Sequence, residues 1–196
     1  MLNRMKQAVQ SEYDAIGQLA NILGPEHEAV AQAVANCKGR VVFLGVGKSA
    51  HIGKKLAATF ASTGTVATFV HGTEACHGDL GMITKDDLVI LISNSGNTVE
   101  VTQNIGPLRA IGATLVAFTA GRESVLDKGC DMLLPLPKIP EADDNNLAPT
   151  NSSTMTLVLG DAIAIAVSSM RCFTRQDFHS FHPNGALGAA LKKERE

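Results

Sequence analysis

Two stretches decide the fold: Val41-Val42-Phe43-Leu44-Gly45-Val46-Gly47-Lys48-Ser49 and Leu88-Val89-Ile90-Leu91-Ile92-Ser93-Asn94-Ser95-Gly96-Asn97-Thr98. Each passes from an aliphatic run into a loop bearing glycine and serine, and each loop opens a helix-like segment. Aliphatic runs without polar alternation mark strands buried on both faces, as parallel strands between helix layers are. Further runs of this kind occupy residues 66–70, 114–118 and 132–134. Their spacing of roughly twenty residues leaves room for a crossover helix each time. The pattern predicts an open, doubly wound α/β sheet whose ligands bind beyond the carboxyl ends of the strands. Both loops lie at such ends. There they present backbone N–H groups, hydroxyls and a lysine to an anion such as phosphate.

The rest of the chain fits around this core. Leu2, Met5, Val9, Tyr13, Ile16, Leu19 and Leu23 recur at helical spacing, Gly24-Pro25 ends that helix, and Pro25 opens a second reaching Cys37. Residues 135–150 form the one long irregular stretch, with four prolines and the acids Glu141, Asp143 and Asp144; loops of this length are uncommon unless functional or disordered. Asn151-Ser152-Ser153-Thr154 supplies candidate caps for a core helix over 155–170, and 185–193 reads as a short terminal helix. With no repeat, linker or low-complexity tract, the expectation is a single domain over 1–196, with N-terminal helices over 1–38 and the α/β core over 39–196.

Composition narrows the function classes. The 196 residues are 45% hydrophobic and carry a formal charge of −2, so the chain can bury a sizeable core and offers no general basic field for nucleic acid. No signal-peptide pattern opens the chain, and the longest apolar region is shorter than a membrane span and contains Asp161. Cys37, Cys76, Cys130 and Cys172 lie far apart without a CxxC pair, which points to free thiols and a cytoplasmic protein.

Both loops have simpler readings. A Walker P-loop requires glycine where Val42 stands. Gly45-Val46-Gly47-Lys48-Ser49-Ala50 matches GxGxxA, but the ribose-binding acid of a dinucleotide fold is missing after Val70, where His71-Gly72 follows. Ser93, Ser95 and Thr98 around Gly96 could be an N-cap cluster. One hydroxyl suffices for a cap, however, and three at the end of a buried strand favour a phosphate or polyol. A third cluster, His71-Gly72-Thr73-Glu74-Ala75-Cys76-His77-Gly78-Asp79, supplies titratable groups, with Glu74 and His77 at a spacing that can share a helix face. It matches no standard zinc spacing, so no metal site is expected. His179 and His182 bracket Phe181 ahead of a His182-Pro183-Asn184-Gly185 turn.

These segments (GVGKSAHIGKK, HGDLGM, SNSGNT, LAPTNSST and HPNGALG, in this order) resemble the sugar isomerase (SIS) domain of arabinose-5-phosphate isomerases from about residue 10 to 192. The resemblance implies a three-layer sandwich with a five-stranded parallel sheet, assembled as a homotetramer with active sites between subunits. It also implies interconversion of D-ribulose 5-phosphate and D-arabinose 5-phosphate for synthesis of Kdo, an acidic sugar of lipopolysaccharide. By motif, Lys48 is the lysine of the glycine loop, His77 belongs to HGD, Glu100 follows the serine loop, Glu141 precedes LAPT, and His182 belongs to HPxG. Asn97 stands where relatives often have glutamate. Many members carry a tandem CBS pair after this domain, and the expectation here is a form without it.

Aldose–ketose isomerisation needs a base on the carbon acid, a donor or cation at the developing oxyanion, and a phosphate anchor. The expected anchor comprises Gly47, Ser49, Ser93, Ser95, Gly96 and Thr98, with Lys48 polarising an oxygen of the open-chain sugar. Proton transfer and ring opening fall among His77, Glu100, Glu141 and His182, and no cofactor is required. Alternatives are an SIS isomerase of a heptulose or hexulose phosphate, and a non-catalytic phosphosugar sensor. A DNA-binding regulator would need a recognition helix, and residues 1–38 offer two amphipathic helices without a basic face.

Overall fold

The computed structural model describes residues 1–183. Five parallel strands, β1 (Val41–Gly45), β2 (Ala67–His71), β3 (Leu88–Ile92), β4 (Thr114–Thr119) and β5 (Met132–Pro135), form one sheet in the order β2-β1-β3-β4-β5. The helices are α1 (Leu2–Ile22), α2 (Pro25–Ala35), α3 (Gly47–Ser62), α4 (Gly72–Ala75), α5 (Val99–Thr102), α6 (Ile105–Ile111), α7 (Val125–Gly129), α8 (Asn151–Met170) and α9 (Arg175–Phe181). The expected three-layer α/β architecture is therefore present, and each aliphatic run is a strand. The expected terminal helix over 185–193 lies outside the described residues.

Side-chain alternation divides the core. Val41, Phe43, Leu88, Ile90, Ile92, Val116 and Phe118 face the layer of α1, α2, α3 and α8. Val42, Leu44, Val89, Leu91, Leu115 and Ala117 face the opposite layer, with Val101, Leu108 and Leu126 from α5, α6 and α7. Every residue of β1 and β3 is buried, which is why neither run shows polar alternation. Phe43 meets Phe60 of α3 edge-on, with ring centroids 5.1 Å apart.

α8 is long and apolar enough in composition to cross a membrane, but Met155, Leu159, Ile163, Ala164 and Val167 are buried in the core. Asp161 pairs with Lys55 of α3. Pro25 opens α2 at its first helical position, as expected. The buried His27 accepts from Gly24 N–H through Nδ1 at 3.2 Å, and its Nε2 contacts the Pro135 carbonyl at 3.1 Å. That pairing fits the tautomer in which Nε2–H donates, and it ties α2 to the end of β5.

Two local expectations need correction. Glu74 and His77 do not share a helix face, because α4 ends at Ala75 and His77 lies in the turn beyond it. Asn151 to Thr154 are not caps: they form the first turn of α8, and Thr150 holds the cap position without a side-chain capping bond.

At the opposite end of the sheet, Asp87 closes the entry to β3. One carboxylate oxygen accepts from Arg40 N–H at 2.6 Å; the other accepts from Thr84 N–H at 2.8 Å and Thr84 Oγ1 at 3.1 Å. Burial raises the pKa of this 2% exposed acid, but the hydrogen bonds from Arg40 and Thr84 outweigh it and hold the pKa below the usual value. A depressed folded pKa means the stabilisation is present above the ordinary carboxylate range and is lost as pH falls through the folded value. Asp87→Asn is expected to lower the unfolding free energy by about 2 kcal/mol at neutral pH and to flatten the acid limb of stability. Chemical denaturation across pH checks both; wild-type stability in the variant would contradict the assignment.

Candidate functional site

Parallel pairing of β1 with β3 sets Gly45 beside Ile92, so the loops that follow emerge side by side. In the order β2-β1-β3-β4-β5 the direction of winding reverses between these two strands, where a crevice opens. A cavity of about 400 Å³ occupies that place. Val46, Lys48, Ser49 and Ile52 line it from the first loop and α3, and Ile92, Ser93, Asn94, Ser95 and Thr98 from the second. The third wall is Glu141, Asn146, Leu147 and Pro149, with Ser152, Ser153 and Thr156 of α8.

The first loop supplies unspent donors. Gly47 has φ +58 and begins the sixteen-residue α3, while its N-cap Val46 has no side chain able to cap. The first-turn N–H groups at Gly47, Lys48 and Ser49 thus lack intrahelical acceptors. The helix dipole favours an anion there.

The second loop is tightly braced. Gly96 N–H donates to the Ser93 carbonyl at 3.0 Å and to Ser93 Oγ at 3.1 Å. Ser93 Oγ lies 2.8 Å from Thr98 Oγ1 and 3.5 Å from Ser95 Oγ. The three hydroxyls therefore converge. Thr98 holds the N-cap position of α5 without making a side-chain capping bond; its hydroxyl joins the cluster instead. Gly96 has φ +70, and a Cβ there would collide with Ser124 Oγ. Asn97 Oδ1 accepts from Val125 N–H at 3.0 Å, so this residue fastens the loop to α7.

Glu141 holds the third wall. Its carboxylate accepts from Thr150 N–H at 2.8 Å, Thr150 Oγ1 at 3.2 Å and Ser152 N–H at 3.2 Å, and from Ser152 Oγ. Burial raises its pKa, but the hydrogen bonds from Ser152 and Thr150 prevail and lower it. Asp143, one turn of loop further on, accepts from the N–H groups of Asn145, Leu147 and Ala148. The irregular stretch is thus a loop folded around two carboxylates, and Glu141 satisfies N–H groups where α8 begins.

Of the sequence-derived site residues, Lys48, Ser49, Ser93, Ser95, Thr98 and Glu141 line the cavity. Gly47 and Gly96 shape its two loops. Glu100, on α5, and His77, after α4, are exposed, and neither lines it. His182 terminates α9, where its ring stacks on Phe178 with centroids 4.0 Å apart and Nδ1 lies 2.9 Å from the Phe178 carbonyl. It too lies outside the cavity lining. Sequence reasoning did not name Asn146, Leu147, Pro149 and Thr156 as site residues: Leu147 and Pro149 lie in the LAPTNSST segment, whereas Asn146 and Thr156 fall outside every quoted motif. All four cysteines are free. Among the described residues, no group of three or more His, Cys, Asp or Glu is placed to hold a metal.

Comparison with known proteins agrees with this geometry. The chain is 46% identical over 190 residues to the arabinose 5-phosphate isomerase KdsD of Pseudomonas aeruginosa, covering 97% of this chain and 58% of that protein. It is 43% identical over 192 residues to the arabinose 5-phosphate isomerase KpsF of Escherichia coli, covering 97% and 59%. The chain thus spans about three fifths of the length of the curated relatives it matches. The structure of Escherichia coli CFT073 c3406 in complex with arabinose 5-phosphate superposes with a TM-score of 0.91 at 47% identity, covering 93% of this chain and 97% of that one. The SIS domain model matches residues 34–166, and with the parallel sheet, the switch-point cavity and the hydroxyl-lined loop these matches place the chain in the SIS domain family.

Proposed function

We propose that this chain, as one catalytic domain, interconverts D-ribulose 5-phosphate and D-arabinose 5-phosphate. The observation that carries the reading is the convergence of Ser93, Ser95 and Thr98 with Lys48 and the open α3 N-terminus on one cavity. The similarity to arabinose 5-phosphate isomerases supports the choice of sugar.

In this reading the hydroxyls of Ser93, Ser95 and Thr98, the Ser49 hydroxyl and the α3 N–H groups hold the phosphate. Lys48 faces the reacting end. A base takes a proton from C1 of the open-chain ketose, the C1–C2 double bond forms, and electron density moves onto O2. Lys48 stabilises that oxygen as charge develops. Protonation of O2, loss of the O1 proton and reprotonation at C2 give the aldose, so no net proton is consumed. Glu100, His77 and His182 are the groups available for this transfer and for ring opening. We assign Glu141 to the wall, as an ionised brace between the loop and α8. The mechanism invokes no cofactor.

The same reading makes the protein an oligomer, a tetramer of soluble cytoplasmic subunits. Leu2, Met5, Val9 and Tyr13 form an apolar stripe along α1 that is 61–71% exposed. A contiguous exposed apolar face of this kind is what a subunit contact covers. Assembly lets His182, which lies outside its own subunit's cavity lining, reach the site of a neighbour. The phosphosugar is the partner; nucleic acid and membrane are not.

Three outcomes check the proposal. In D2O, D-ribulose 5-phosphate is expected to give the anomeric NMR signals of D-arabinose 5-phosphate with deuterium at C2. Binding without conversion would support a sensor instead, and conversion of only hexulose or heptulose phosphates would reassign the substrate. Val9→Asp combined with Tyr13→Asp is expected to yield smaller, inactive species by light scattering; an unchanged mass would place the subunit contact elsewhere. Glu141→Gln is expected to remove the part of the acid limb of activity that comes from loosening of the wall, since a lowered folded pKa confers stability that is lost as pH falls through it. An unaltered pH profile would contradict that role.

A further inference from the structure

Asn104 carries a buried polar side chain in an apolar layer, and no sequence motif contains it. It stands between α5 and α6 with 0% exposure, in the layer of Val42, Leu44, Val101 and Leu108. A buried amide is costly unless its donors and acceptor are bonded, and here they are. Nδ2 donates to the Glu100 carbonyl at 2.9 Å and the Gly72 carbonyl at 3.0 Å, with the Val101 carbonyl at 3.4 Å. Oδ1 accepts from the Cys76 thiol at 3.2 Å. One side chain therefore joins α5, the start of α4 and the turn after α4.

The two segments it joins are those that carry Glu100 and His77. Their backbones also touch directly: a Cβ on Gly72 would lie 2.7 Å from the Glu100 carbonyl oxygen. Gly72 is thus required at the junction for close approach, and Asn104 supplies the hydrogen bonds that hold it. His77 follows within the same compact turn, its N–H donating to the Glu74 carbonyl at 2.8 Å. The serine loop is braced separately, through Ser93, Ser124 and Val125.

We propose that Asn104 is a positioning residue that holds the Gly72-to-His77 segment against α5, so that Glu100 and His77 keep a fixed spacing at the reacting end of the sugar. This rests on the isomerase reading above. Asn104 does not touch the substrate. It acts through the placement of two groups, and a misplacement of 1 Å in such groups can cost about 100-fold in rate.

The test compares Asn104→Ala, Gly72→Ala and Cys76→Ala in the full chain. The first removes the hydrogen bonds, the second forces the same junction apart, and the third removes only a weak S–H donor. For arabinose 5-phosphate, Asn104→Ala and Gly72→Ala are expected to lower kcat by about 10- to 100-fold. Inhibition by inorganic phosphate is expected to stay near wild type, because the serine loop is untouched. Cys76→Ala leaves the Gly72 and Glu100 links in place and is expected to lower kcat less than Asn104→Ala. Should Asn104→Ala fail to fold, Gly72→Ala carries the comparison. Folded variants that retain full kcat would overturn the proposal, and so would equal losses of kcat and phosphate affinity. If the wild-type chain converts neither pentose phosphate, it is the isomerase reading that fails. The positioning claim is then read from amide NMR shifts. Residues 71–78 and 99–102 are expected to move together in Asn104→Ala while 93–98 do not; movement of 99–102 alone would overturn it.

Discussion

The parallel pairing of β1 with β3 is the constraint on which the site depends. All ten residues of the two strands are buried, and Gly45 stands beside Ile92 at their carboxyl ends. A one-residue slip would turn each core side chain to the wrong layer, so hydrophobic burial fixes the register. With the register fixed, the lysine loop and the serine loop must lie next to one another. Helices of the two crossovers leave in opposite directions, which opens the cavity between them. The apolar core is thus what brings polar groups from distant parts of the chain together.

Polar bracing then gives each wall its shape. Gly96 admits the close approach of Ser124, and Asn97 binds the backbone beyond it. On the opposite side, Glu141 and Asp143 gather backbone N–H groups that an irregular loop would otherwise leave without acceptors. The two carboxylates explain how a stretch with four prolines between 135 and 150 can form a defined surface. Asn104 provides the corresponding link behind Glu100 and His77. Each brace is a single polar side chain satisfying several backbone groups at once.

The strands were legible because a strand buried on both faces leaves a local trace, an aliphatic run ending at a glycine or serine loop. The cavity-lining loops were legible for the same reason, since they follow the runs directly. The start of α8 was legible at Asn151, but the way its N–H groups are satisfied was not. Its N–H groups are satisfied by Glu141, ten residues upstream of Asn151, while the local polar side chains turn elsewhere: Asn151 Nδ2 to Ser11 and the Pro140 carbonyl, Thr154 Oγ1 to Glu12. Capping rules read neighbours along the chain and do not see a remote carboxylate. Asn104 was invisible for a related reason, because its partners at Gly72 and Cys76 are about thirty residues away and no propensity records such a contact. The place of His182 also escaped, since HPxG describes a turn and does not foretell that the ring stacks on Phe178 outside the cavity lining.

The proposed function divides the labour: serine hydroxyls and the α3 N-terminus grip phosphate, and Lys48 stabilises charge at the reacting end. Steady-state kinetics of Ser95→Ala and Lys48→Met with D-arabinose 5-phosphate test it most directly. A lost anchor that acts equally on ground and transition states raises KM, whereas a contact made only as charge develops lowers kcat. The expected result is a raised KM with nearly unchanged kcat for Ser95→Ala, and a collapsed kcat with nearly unchanged KM for Lys48→Met. The reverse pattern, with Lys48→Met affecting KM alone, would contradict the account.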